Sequence, residues 1–238
     1  MTLDDEGRLA ELLAGTGPLL LDFDGPVCSI FAGYPAAEVA AELRERLKRN
    51  GIRVVGSVVT EPDPLEVLRW TGRHGDPDVV RAVEDALCAA ELEAARLAES
   101  TPYAREVIVA ARDAGKPVAI ISNNSAGAIV KYLNLHRLAV HVQTVVGRAY
   151  ARPELMKPHP DPIRRAVAAL GAEPGDCALI GDSLADITAA QAAKAKVIGY
   201  ANKPAKAERF AAAQADAVVT SMSEIAICLT RFPRQSRT

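Results

Sequence analysis

The chain lacks any apolar run near the roughly 20 residues needed to cross a bilayer, so no membrane partner is expected. It also lacks a dense basic run interleaved with aromatics, and its formal net charge is −2. Nucleic acid is therefore not an expected partner either. The basic stretch from Arg231 to Arg234 is short and reads as a solvated terminus. Cysteine is scarce: Cys28, Cys88, Cys177 and Cys228 are scattered without metal-ligand spacing, which suits free thiols in a reducing compartment. Cys28 reads as a small buried hydrophobe. The opening Met1 to Glu6 is acidic and has neither the basic nor the apolar region of a signal peptide, so a cytoplasmic location is expected. There are no internal repeats or low-complexity linkers, and no pattern specifies an oligomeric state. What remains is an ordinary globular composition, 49% apolar and 24% charged. Its 238 residues allow one large domain, or a core with a smaller insert.

Against that plain background stands Leu19-Leu20-Leu21-Asp22-Phe23-Asp24-Gly25. An apolar run reads as a buried strand, and Gly25 permits an abrupt exit. Asp22 and Asp24 then fall at the carboxyl end of the strand, the edge where open α/β sheets bind ligands. Two carboxylates so close together need a compensating cation or a shared proton. Asp-x-Asp beside glycine is also ordinary turn chemistry, and three later segments shift the balance. Ile120-Ile121-Ser122-Asn123-Asn124 is a second apolar run, ending in a hydroxyl. Met156-Lys157-Pro158-His159-Pro160 sets one lysine in a proline-bounded loop. Leu179-Ile180-Gly181-Asp182-Ser183-Leu184-Ala185-Asp186 is a third apolar run, ending in Gly-Asp.

With these four segments in order, over roughly residues 17 to 220, the chain resembles the haloacid dehalogenase-like hydrolase superfamily. Within it the likeness is to phosphoglycolate phosphatase-like members with a helical cap. The resemblance implies a Rossmann-like three-layer α/β core carrying an inserted α-helical cap domain. One position departs from the pattern: Pro26 stands where many members have threonine, which removes an amide donor next to the first motif.

Strands are expected near Val118–Ile121, Val142–Val146, Cys177–Ile180, Lys196–Gly199 and Ala217–Val219. Helical segments alternate with them, which argues for a mostly parallel sheet. Residues 32–98 interrupt the alternation. Pro35–Asn50, Asp63–His74 and Asp76–Glu99 each read as a helix, the last two opening with Asp-Pro. Ile52–Thr60 fits either a strand or an apolar loop. The expected division is a catalytic core of residues 1–31 and 99–238 with a helical cap of residues 32–98, the chain crossing near Ser29–Gly33 and Glu99–Tyr103. A lead-in helix over residues 1–16 precedes the first strand.

A phosphate monoester dianion repels nucleophiles, so its hydrolysis needs cations around the phosphoryl oxygens and an attacking group held in line. Asp22 suits nucleophilic attack to give an aspartyl-phosphate, and Asp24 suits protonation of the leaving alkoxide and activation of water. The resemblance assigns the same roles. A Mg²⁺ site from Asp22, the Asp24 backbone carbonyl and Asp182 is expected, with Asp186 assisting the metal or pairing with Lys157. Ser122 and Lys157 are expected on the substrate phosphate, with backbone amides following Ser122 at a helix start, and Asn123 fits either a contact to that phosphate or a turn-forming side chain. Arg69, Trp70, Arg73 and His74 form a polar and aromatic cluster that could face substrate, although Trp70 also fits a core position and His74 a helix-end cation.

The expected activity is a Mg²⁺-dependent phosphatase for a small phosphorylated metabolite. A sugar phosphomutase would share the aspartyl-phosphate, and a catalytically silent binding or regulatory protein would share the fold. Dehalogenation does not want the second acid Asp24. Phosphonate cleavage would need a Schiff-base lysine in the insert, where Lys48 is the only lysine and reads as solvated.

Overall fold

In a computed structural model that describes residues 3–231, α1 (Leu3–Ala14) leads into β1 (Leu19–Asp22), all four of whose residues are buried. Its side chains alternate between two cores. Leu19 and Leu21 enter the apolar cluster on one face of the sheet, and Leu20 enters the cluster on the other. A strand buried on both faces needs an unbroken apolar run, which Leu19–Leu21 supplies.

Two short strands, β2 (Cys28–Ser29) and β3 (Glu99–Ser100), pair antiparallel. They bracket the insert α2 (Ala36–Arg49), α3 (Pro64–His74) and α4 (Pro77–Leu97). This ribbon lies at the two expected crossings but was not itself legible, since two-residue strands leave no periodic signal. The ambiguous Ile52–Thr60 holds a 3₁₀ turn, Gly56–Thr60, and no strand. The Asp-Pro openings work as expected. Asp63 accepts from the Leu65 amide, and Asp76 from the amides of Asp78 and Val79.

The alternation then resumes: α5 (Ala104–Asp113), β4 (Val118–Ile121), α6 (Ala126–Leu135), β5 (Thr144–Val146), α7 (Asp161–Leu170) and β6 (Ala178–Gly181). After these come α8 (Leu184–Ala193), β7 (Lys196–Tyr200), α9 (Pro204–Ala212), β8 (Ala217–Val219) and α10 (Met222–Thr230). Of the stretch Arg231 to Arg234, residues 232–234 lie outside the described residues. The six long strands form one parallel sheet ordered β5–β4–β1–β6–β7–β8. The chain builds outward from β1 in one direction through β4 and β5. It then crosses over and builds the other way from β6. The crevice above the carboxyl ends of β1 and its two neighbours is thus the switch point where such sheets bind ligands.

Helices α1, α5, α6 and α10 cover one face of the sheet, with Leu13, Ile108, Ile129 and Leu229 in its cluster. Helices α7, α8 and α9 cover the other, through Ile163, Ile187 and Phe210. The inserted helices share a third cluster, including Val39, Leu43, Leu68, Trp70, Val83 and Leu87, joined by Met156 from the loop after β5. Helix α4 belongs to two clusters: Val83 and Leu87 sit in the insert's, while Ala94 and Ala95 already pack over the sheet. Among the described residues no helix is long and apolar enough to cross a membrane.

Candidate active site

The register of the sheet brings the motifs together. Asp22 pairs with Ile121, so Ser122 follows β4 beside it, and Leu21 pairs with Ile180, so Asp182 leaves β6 on the other side. Carboxylate oxygens of Asp22, Asp182 and Asp186 lie within 4.8 Å of one another. Lys157 enters from the loop after β5, and its buried Nζ lies 2.7 Å from Asp22 Oδ1 and 2.6 Å from Asp186 Oδ1.

Glycine is required at the turn. Gly25 has φ +104°, and a Cβ there would come within 2.4 Å of Asp182 Cγ. Gly181 has a parallel role: a Cβ would meet Asp186 Cβ at 2.3 Å. The turn is held from the far side of the insert by Thr101, whose hydroxyl donates to the Gly25 carbonyl at 2.5 Å.

Burial raises the Asp22 pKa well above the usual carboxylate range. Repulsion from Asp186 and Asp182 adds to that, and the attraction of Lys157 only partly offsets it. Asp24 keeps solvent contact, yet crowding by protein desolvates it and, with Asp182 nearby, pushes its pKa to about 6. The Ile30 amide donating to Asp24 Oδ1 at 3.0 Å works against that rise. For Lys157, burial favours the neutral form, but Asp186 and Asp22 outweigh it and hold the ammonium above its ordinary value.

Asp186 is fully committed. Besides Lys157, it accepts from the Ser183 amide at 3.0 Å and the Ser183 hydroxyl at 2.6 Å, closing a capping box at the start of α8. Of its two expected roles, this geometry serves the pairing with Lys157. Asp182 is held by groups that sequence reasoning missed: Lys206 Nζ lies 2.6 Å from both its Oδ2 and its carbonyl oxygen, and Asn202 Nδ2 donates to Oδ2 at 3.1 Å. Both follow β7, and only the parallel placement of β7 beside β6 brings them here.

The expected phosphate side divides differently. Ser122 is buried, and its hydroxyl engages Asn124, accepting from the amide and donating to Oδ1, each at 3.1 Å. The amides of Asn124 and Ser125, which a helix start offers to an anion, are taken by Ser122 Oγ and by Glu91. Both ends of the Asn123 side chain engage the Lys157 main chain, with Oδ1 accepting from its amide at 2.8 Å and Nδ2 donating to its carbonyl at 3.2 Å. Asn123 therefore fastens the Ser122 loop to the Lys157 loop.

From the insert, Arg69 donates to the same Lys157 carbonyl. It lines a cleft of about 410 Å³ with Asp63, Glu66, Asn123, Lys157 and Ala185. Of the expected cluster, only Arg69 is placed in this cleft. Trp70 is buried in the insert's core and stacks on His74 at 4.3 Å, while Arg73 and His74 are exposed. Cys28 is buried, as a small hydrophobe would be.

The donor set fits a hard divalent cation. All candidate ligands are oxygens, and among the described residues the three carboxylates of Asp22, Asp182 and Asp186 are paired with two ammonium groups, Lys157 and Lys206. A like-charged cluster of this kind favours a dication or a bound proton.

Residues 19–194 match the family model of the haloacid dehalogenase-like hydrolases, and the chain belongs to that family: it is a hydrolase. It is 26% identical over 227 residues to a phosphoglycolate phosphatase of Pectobacterium atrosepticum, covering 91% of this chain and 93% of that protein. It is 32% identical over 140 residues to a plasmid-borne phosphoglycolate phosphatase of Cupriavidus necator, spanning 58% of that relative's length. A crystal structure of a predicted phosphatase from Clostridium acetobutylicum shares the fold, with a TM-score of 0.68 at 17% identity over 91% of this chain and 99% of that one.

Proposed function

We propose that the protein is a Mg²⁺-dependent phosphatase acting on a small phosphorylated metabolite through an aspartyl-phosphate on Asp22. One observation carries this reading: Lys157 lies between Asp22 and Asp186 in a crevice that also holds the Asp182 carboxylate. Both contacts to Asp22, from Lys157 Nζ and from the Phe23 amide at 2.7 Å, engage Oδ1, so Oδ2 is the oxygen left to attack phosphorus. Lys157 draws the phosphoryl oxygens toward that carboxylate, and Asp186 keeps the ammonium aimed. Asp24, with its raised pKa, donates its proton to the departing alkoxide and then takes one from the water that hydrolyses the acyl-phosphate. Asp22, Asp182 and the Asp24 main chain would hold Mg²⁺, which when bound neutralises charge and orients the phosphoryl group. The helical insert, residues 32–98, acts as a cap that excludes bulk water and supplies contacts to the leaving group through the Arg69 cleft.

The test is a phosphate-release screen over sugar phosphates, phosphoglycolate, nucleotides and cofactor phosphates. Release should require Mg²⁺, stop in excess chelator, and be poorly supported by Ca²⁺, whose longer bonds and higher coordination number disturb in-line geometry. Full activity in chelator would remove the metal from the mechanism, and isomer formation without phosphate release would make the protein a mutase.

A further inference from the structure

Behind the Ser122 loop lies a buried charge network with no part in the chemistry above. Glu84 and Glu91 are seven residues apart, two turns along one face of α4, and both are fully buried. Between them sits the guanidinium of Arg148, in the loop after β5, itself out of contact with solvent. Arg148 Nε lies 2.7 Å from Glu84 Oε1, and Nη1 lies 2.6 Å from Glu91 Oε1. Nη1 also donates to the Asn123 carbonyl at 3.0 Å, and the Arg148 amide donates to the Asn124 carbonyl at 3.0 Å. Glu91 completes the ring, accepting from Asn124 Nδ2 at 3.1 Å and from the Ser125 amide at 2.9 Å. The Arg148 loop is pressed close, since a Cβ on Gly147 would come within 2.2 Å of the Ala126 nitrogen.

This arrangement is a poor way to glue helices together. Buried ion pairs are seldom more stabilising than apolar side chains of similar volume, and here one carboxylate oxygen, Glu84 Oε2, is buried with no partner. What charges supply and apolar groups do not is direction. Asn123, Asn124 and Ser125 follow Ser122 in succession, and each is held by Glu91 or Arg148. Asn123 in turn holds the main chain of Lys157.

We infer that Glu91 and Arg148 are positioning residues that fix the Asn123–Ser125 main chain, and through it Ser122 and Lys157, in the phosphate-receiving arrangement before substrate arrives, with α4 of the insert as their fixed support. The inference rests on the phosphatase reading, because it takes the Ser122 and Lys157 loops to receive phosphate. Preorganisation of this kind lowers the cost of binding the phosphoryl group and holds the reacting atoms in line.

The test uses the full chain and inorganic phosphate as the probe. A variant combining Glu84→Gln, Glu91→Gln and Arg148→Met removes all three charges together, so no buried ion is stranded. Its melting temperature should stay within about 3 °C of wild type, the span of roughly 1 kcal/mol for a chain of this size. The inhibition constant of phosphate and the KM for an aryl phosphate should rise about tenfold or more, with kcat falling by a smaller factor. Arg148→Lys keeps the charge but loses the fork, and it should show the same binding defect in weaker form. Glu91→Gln, nearly isosteric, turns an amide toward the Ser125 N–H and tests the same point should the triple variant not fold. Wild-type phosphate affinity and KM in a folded variant of this set would overturn the inference while leaving the phosphatase reading intact. A wild-type enzyme that neither binds phosphate nor hydrolyses phosphate esters would instead defeat the phosphatase reading beneath it.

Discussion

Asp22 bears opposing demands from catalysis and stability. Its folded pKa lies above its unfolded value, so its contribution to stability is complete at acid pH and is lost as pH rises through the folded pKa. Above its unfolded pKa the side chain therefore costs the fold stability. Asp22→Asn removes both the proposed nucleophile and that cost. Turnover of an aryl phosphate should fall by several orders of magnitude. In chelator at pH 7.5, the variant should melt at or above the wild-type temperature, the difference shrinking toward pH 4. A variant that keeps more than about a tenth of wild-type turnover would show that Asp22 is not the nucleophile. Asp24 gives a different signature. Nitrophenolate leaves without a proton and an alkoxide does not, so Asp24→Asn should slow an alkyl phosphate further than an aryl one. Equal loss on both would leave Asp24 without its role as acid.

Single helices divide the labour. Helix α8 begins in a capping box whose acid, Asp186, also aims Lys157, so one side chain both starts the helix and sets the site. Helix α3 lines the cleft with Leu65, Glu66 and Arg69, and Arg69 is its cation there. Removing it (Arg69→Met) should raise KM for the physiological substrate more than for a small aryl phosphate, whereas Arg73→Ala and His74→Ala, at exposed positions, should change little. Kinetics of the three variants on both substrates decide this, and equal effects on the two substrates from Arg69→Met would take α3 out of substrate selection. The Arg148 network lay outside sequence reasoning, yet α4 held a signal for half of it. Two glutamates seven apart on a face otherwise made of Val80, Val83, Leu87 and Ala94 are acids in apolar positions, and such acids require a buried partner.

For the molecule as a whole, the insert leaves and returns through the β2–β3 ribbon, whose first strand begins four residues after Asp24. An insert attached so near the proposed chemistry should leave room for small organic phosphates and exclude folded phosphoproteins. Assays of matched substrates, a phosphoserine-containing folded protein against the free phosphoamino acid, check this; efficient turnover of the folded protein would defeat it.

The sequence by itself determined the fold class and singled out Asp22, Ser122, Lys157 and Asp182, which the sheet brings to one edge. Apolar runs ending in Asp22, Ser122 and Asp182 read as buried strands because burial on both sheet faces demands continuous apolar side chains, and the Asp-Pro and glycine signals placed the three helices of the insert to within two residues. The tertiary structure alone decided who meets whom across the sheet. Lys206 reaches Asp182 because β7 lies beside β6, and Arg148 reaches Glu91 because α4 packs along α6. Local patterns report the face a residue turns to its own core. They carry no information on which distant side chain completes a hydrogen bond, since that partner is chosen by strand order and helix packing.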